Sequence, residues 1–127
     1  MNDKKRILII DDDVYTSEMY AFTLTKAGYD VVVVDDGLSG EKELETGNFD
    51  VVLLDILLPH THGDTILNHW RQSNPLGTRP PIIILTNAEQ DQEHKAATKS
   101  EADMYIVKAS ITPRSLRDII AELLNNW

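Results

Sequence analysis

The chain has 127 residues, of which 42 % are hydrophobic and 26 % charged, and a net charge of −9. That suits one domain with a single core, is too apolar for a disordered chain, and carries the wrong sign to hold nucleic acid by its own field. With no cysteine there is no disulfide, thiol or Cys-zinc chemistry, and the apolar run at 7–10 is too short for a signal peptide or membrane span. The expectation is a cytoplasmic protein that binds neither nucleic acid nor membrane.

In chain order, short β-branched apolar runs recur at 7–10, 31–34, 51–54, 82–85 and, more weakly, 105–107. Each is continuous rather than alternating, as in strands covered on both faces. The first run stops at Asp11, Asp12 and Asp13, and a helix-length segment starts near Val14 with Gly28 placed to end it. After the second run another such segment ends at Gly47-Asn48. Pro75, Pro80 and Pro81 punctuate the approach to the fourth run.

Residues 89–100 hold almost no large apolar side chain, yet Asp91 and Lys95 are spaced i, i+4, which predicts a lightly anchored, solvated helix. The last helix is the clearest. Thr112 is its N-cap, Pro113 its first helical residue, and Ile111 can staple onto Leu116. Leu116, Ile119, Ile120, Leu123, Leu124 and Trp127 then form one apolar stripe. Five strand-then-helix units predict an α/β fold, a doubly wound five-stranded parallel sheet with helices on both faces.

In such a sheet, ligands bind beyond the carboxyl ends of the strands, so the first polar residue after each strand matters most. These are Asp11, Asp12 and Asp13 after the first, Asp55 after the third, Thr86 after the fourth and Lys108 after the fifth. Any one of them alone is an ordinary turn residue or cap. Together they put carboxylates, a hydroxyl and an ammonium at one edge. Carboxylates that close repel one another unless a cation sits among them, and hard, incomplete oxygen ligation suits Mg²⁺ with a phosphate oxygen completing its shell. Lys and Thr are natural partners for that phosphate.

The run Ile-Leu-Ile-Ile-Asp11-Asp12-Asp13, the run Val-Val-Leu-Leu-Asp55-Ile-Leu-Leu-Pro59 with Gly63, then Ile-Ile-Ile-Leu-Thr86 and Tyr105-Ile-Val-Lys108 resemble the receiver domain of two-component response regulators, in particular the single-domain chemotaxis type. The resemblance covers the whole chain, 1–127. It implies a flavodoxin-like strand order 2-1-3-4-5 and a phosphorelay function rather than a metabolic enzyme, its catalysis limited to its own phosphorylation and dephosphorylation. By it, Asp55 is the phosphoacceptor, attacking phosphohistidine on a sensor histidine kinase or phosphotransfer protein. Mg²⁺ is held by Asp12, Asp55 and the backbone carbonyl of Leu57, with Asp11 acting through a bound water. Lys108 pairs with a phosphoryl oxygen, and Thr86 and Tyr105 form the switch. A downstream protein is met by the fourth helix (89–100), the fifth strand and the last helix, in a monomer or a phosphorylation-dependent dimer. For Tyr105 the plain alternative is a strand aromatic packed against the last helix, and Asp13 is read as a helix N-cap or a group in the outer surroundings of the metal.

Three departures bear on detail. Ala109 stands where the family usually has a proline joined by a cis bond. Such a bond to a non-proline residue costs about 3 kcal/mol, so either the site holds that strain or the loop is rearranged. Asn87 replaces a very small residue and narrows access. Leu57 and Ala88 are apolar and orient no attacking water, which implies a moderate to long-lived phosphoryl group. His60 and His62 make a poor metal pair and are read as surface-loop residues, as are His69 and His94.

Two other readings compete. A haloacid-dehalogenase-type Mg²⁺ phosphatase would use Asp11 and Asp13, but lacks a late acidic pair and a cap domain and leaves Asp55 idle. A flavin module would need a Ser/Thr/Gly-rich cradle where three aspartates stand. No DNA-binding or catalytic segment follows Trp127, so the output is expected to pass by protein contact unless the chain belongs to a longer one.

Overall fold

A computed structural model describes residues 4–56, 58, 63–73, 80–86 and 103–126. Five strands, β1 (Arg6–Ile10), β2 (Asp30–Val34), β3 (Val51–Asp55), β4 (Ile82–Thr86) and β5 (Met104–Val107), form one sheet in the order β2-β1-β3-β4-β5. Every pairing is parallel. Helices α1 (Val14–Lys26), α2 (Gly37–Thr46) and α3 (Gly63–Ser73), with a C-terminal helix (Pro113–Asn126), connect and cover the strands. The doubly wound fold expected from the strand spacing is the one observed.

Side chains alternate across the sheet and split the core in two. Ile7, Ile9, Val51, Leu53, Ile83 and Leu85 pack under α1 and the C-terminal helix, against Tyr20, Leu24, Leu116 and Ile120. Leu8, Ile10, Val52, Leu54, Ile82 and Ile84 pack on the other face, against Leu44 of α2 and Ile66 and Leu67 of α3. Each fully buried aliphatic side chain contributes about 1.5–3 kcal/mol, so the three central strands hold most of the stabilising surface. The outer strands are covered less completely. Val33 on the edge strand β2 is exposed, since among the described residues β2 pairs with β1 alone.

The helix ends follow local chemistry. The Asp13 carboxylate accepts from the Thr16 backbone N–H at 3.3 Å and from its hydroxyl at 2.7 Å, capping α1. That settles its role as an N-cap, and the Thr16 contacts hold its carboxyl below the usual range. At the other end Gly28 takes a positive φ of 101°. Its N–H donates to Thr25 and that of Tyr29 to Leu24, closing the helix with paired carbonyls. Gly47 also ends α2, but in extended backbone. The Thr112 hydroxyl accepts from the Ser115 backbone N–H at 3.0 Å, and Ile111 and Leu116 pack in one cluster, as read from the sequence.

Tyr105 differs from its plain reading. Strand alternation turns Met104 and Ile106 toward the C-terminal helix, whereas Tyr105 packs against the cluster under α2 and α3. The helix read at 89–100, together with Asn87, Ala88, Leu57, Trp127, Pro75, His60, His62 and His94, lies outside the described residues. His69 sits exposed on α3, 3.7 Å from Glu41.

Candidate phosphoacceptor and metal site

Parallel register brings the strand ends together. Ile10 lies beside Leu54, so Asp11 and Asp55 follow at the same edge. Asp55 lies beside Leu85, which places Thr86 next to it, and Thr86 lies beside Val107, which places Lys108 after that. Single carboxylate oxygens of Asp11, Asp12 and Asp55 all fall within 4.8 Å of one another. Asp11, Asp55 and Thr86 are buried, while Asp12 is exposed and gives the cluster its opening to solvent.

Asp11 is the most enclosed of the three. Its Oδ1 accepts from the Asp13 backbone N–H at 2.9 Å, its own N–H pairs with the Val34 carbonyl, and its carbonyl accepts from the Ser17 hydroxyl at 3.4 Å. Its Oδ2 lies 2.7 Å from Lys108 Nζ in a buried ion pair. Lys108 Nζ also donates to Asp55 Oδ2 at 3.4 Å. Burial of the ammonium lowers its proton affinity, but Asp11 and Asp55 together outweigh burial and hold Lys108 above its ordinary range.

This geometry tests the donor set for a cation. Three carboxylates with single oxygens within 4.8 Å of one another, two buried and one exposed, fit a hard divalent cation with open positions. Among the described residues, the Lys108 ammonium faces the buried carboxylates of Asp11 and Asp55. The resemblance adds the Leu57 carbonyl, which lies outside the described residues.

Lys108, Ala109 and Ser110 form one turn of 3₁₀ helix, and no cis peptide bond occurs among the described residues. Of the two outcomes posed for Ala109, the rearranged loop is the one observed. It still delivers the Lys108 ammonium to the site.

Two supporting residues were not singled out for these roles by sequence reasoning. Gly63 opens α3 with its N–H on the Ile56 carbonyl at 2.7 Å, and a Cβ there would run into the Asp55 carbonyl oxygen and lie 2.7 Å from Ile56 Cα. The only signal was its spacing from Asp55. Ser17 is a buried hydroxyl beneath Asp11, and one serine in a helix gives no such signal.

Comparison with known proteins shows the family and the fold. The family model described as the response regulator receiver domain matches residues 7–121. The transcriptional regulatory protein QseB of Escherichia coli O157:H7 is 33 % identical over 118 residues, 93 % of this chain and 51 % of that protein. The chain thus spans about half the length of the curated relatives it matches. A CheY-like receiver domain protein from Methanospirillum hungatei superposes with a TM-score of 0.86 at 30 % identity, covering 98 % of this chain and 96 % of that one. The BeF3-activated receiver domain of Klebsiella pneumoniae RstA superposes at 0.80, with 30 % identity and coverage of 94 % and 98 %. The phosphatase alternative finds no support among these relatives.

Proposed function

Because this chain belongs to the family of response regulator receiver domains, the phosphoacceptor modules of two-component signalling, we propose that it takes a phosphoryl group from phosphohistidine onto Asp55. The supporting observation is the buried Asp55 carboxylate at the end of β3, within 4.8 Å of Asp11 and Asp12 and 3.4 Å from Lys108.

In the proposed step an Asp55 oxygen attacks phosphorus, the P–N bond to the donor histidine breaks, and its electron pair leaves with the imidazole nitrogen. Asp11, Asp12, Asp55 and the Leu57 carbonyl would hold Mg²⁺, which when bound offsets charge on the attacking carboxylate and the phosphoryl oxygens. Lys108 would exchange its pairing with Asp11 for a phosphoryl oxygen. The Thr86 hydroxyl would donate to another, and the space it leaves would be taken by Tyr105 on the α2–α3 face. Apolar Leu57 and Ala88 would leave water unoriented, so the phosphoryl group would persist. The chain's chemistry is then confined to its own phosphorylation and dephosphorylation.

The proposed domain is the whole of 1–127, acting in the cytoplasm. Its upstream partner is a sensor histidine kinase or a phosphotransfer protein. Its downstream partner is a protein met by residues 89–100, β5 and the C-terminal helix. Among the described residues no helix is long and apolar enough to cross a membrane.

Incubation with acetyl phosphate and Mg²⁺ tests the reading by intact mass. One added phosphoryl group is expected in the wild type and none in Asp55→Asn. Undiminished labelling of the variant would overturn it.

A further inference from the structure

Beside the acidic cluster, α1, the end of β2 and the first turn of α2 enclose an open groove of about 440 Å³. Val14 and Ala21 of α1 and Val33 and Val34 of β2 supply its apolar lining. Val14 is 55 % and Val33 42 % exposed, so this lining meets solvent instead of being sealed into the core. A groove of that volume, with apolar walls and a few polar groups, has the dimensions of a small-molecule site and is too small for a stable protein interface.

The polar lining carries one sign. Its charged residues are Asp11 at the inner site, Glu18 on the α1 wall and Asp35 at the β2–α2 turn. Asp11 is already paired with Lys108, whereas neither Glu18 nor Asp35 forms an ion pair among the described residues. Two hydroxyls complete the lining, and both have committed their protons. Ser17 donates to the Asp11 carbonyl and Ser39 to the Asp36 carboxylate, so what each can offer a ligand is an acceptor. Acceptors and carboxylates around an apolar floor call for a donor that is positive and carries hydrocarbon. A bare divalent ion fits less well, because it needs several oxygens in direct contact, and the three-carboxylate cluster includes neither Glu18 nor Asp35.

We propose that this groove binds a small organic cation, an ammonium carried on an aliphatic body. The body lies over Val14, Ala21, Val33 and Val34, and the ammonium is held at the rim by Glu18 and Asp35. Both carboxylates are exposed, so each contributes modestly, and affinity depends on having charge and hydrocarbon in one molecule.

Amide NMR of the full chain in excess Mg²⁺, which competes at the acidic cluster, tests the proposal with hexylamine as the probe. Methylamine supplies the charge without the body, and hexanol the body without the charge. Hexylamine is expected to give saturable shifts centred on Val14, Ala21, Val33 and Asp35, with a dissociation constant in the millimolar range. Each control is expected to bind about fivefold more weakly or worse. Glu18→Gln and Asp35→Asn should each weaken hexylamine about threefold. Val33→Lys, which tethers an ammonium in the groove itself, should abolish the shifts. All three positions are exposed, and circular dichroism verifies that each variant folds. A wild type with no saturable shifts overturns the proposal, as do shifts centred on Asp12 and Lys108. So does hexanol binding as tightly as hexylamine, or equal hexylamine affinity in the wild type and both carboxylate variants.

Discussion

Lys108 Nζ lies 2.7 Å from Asp11 Oδ2, with the two side chains 9 % and 0 % exposed. An ammonium from the end of β5 thus reaches past the strands between to neutralise a carboxylate from the end of β1. The contact carries a cost as well as a gain, because both charges have left water.

Removing that ammonium should be expensive. In Lys108→Met, Asp11 and Asp55 are left facing each other without it, and loss of a buried ion-pair partner costs about 3–5 kcal/mol. Urea unfolding without divalent cation should register the loss, and added Mg²⁺ should recover part of it. The pH dependence has a definite sign. The folded Lys108 binds its proton more tightly than the unfolded chain does, above the ordinary 10.5. Its contribution is therefore complete below that value and is lost as pH rises through the higher folded one. Alkaline unfolding of the wild type should show this decline, and Lys108→Met should lack it.

Mg²⁺ should stabilise the wild type in thermal melting by a few degrees once it is well above its dissociation constant. Asp12→Ala removes the exposed member of the cluster without disturbing the buried pair, and its shift should be much smaller. An equal shift in both would place the cation elsewhere.

Gly63→Ala should destabilise the protein by about 2 kcal/mol or more, since the new methyl meets the Asp55 carbonyl and the Ile56 backbone, which cannot move aside as a flexible side chain would. Its rate of labelling by acetyl phosphate should fall as well, because the displaced backbone carries the nucleophile. Chemical denaturation and the labelling time course read the two effects separately.

Thr86→Ala should separate phosphorylation from switching. The nucleophile and its acidic neighbours are intact, so labelling persists. The hydrogen bond that distinguishes the two states is lost, at about 1.5–3 kcal/mol, which depopulates the active state tenfold or more. Amide exchange over 89–107, with and without beryllofluoride, should change in the wild type and hardly at all in the variant. An equal change in both would move the switch elsewhere, with the Lys108–Ser110 turn the first place to look.

Most of this architecture was legible in the sequence because it is repetitive physics. Runs such as 7–10 and 51–54 are apolar throughout, which only a strand covered on both faces sustains, and the first polar residue after each run then marks the functional edge. Thr112, Pro113 and Ile111 announce the last helix by capping chemistry that operates within a few residues. Less local facts were harder. The side of the sheet that receives Tyr105 depends on strand alternation counted from a boundary one residue earlier than the apolar run suggests. Val33 looks like a core residue until the strand order makes β2 an edge. The nearness of Lys108 to Asp11 depends on how the 3₁₀ turn at Ala109 aims a long side chain, which no spacing rule encodes.

The central claim is that Asp55, and no neighbouring carboxylate, carries the phosphoryl group. Borohydride reduction of the acetyl-phosphate-labelled protein converts an aspartyl phosphate to homoserine, and peptide mapping then locates it. Homoserine at position 55 alone is the expected result. Homoserine at position 11 or 12, with residue 55 still aspartate, would contradict the account and return the chemistry to the end of β1.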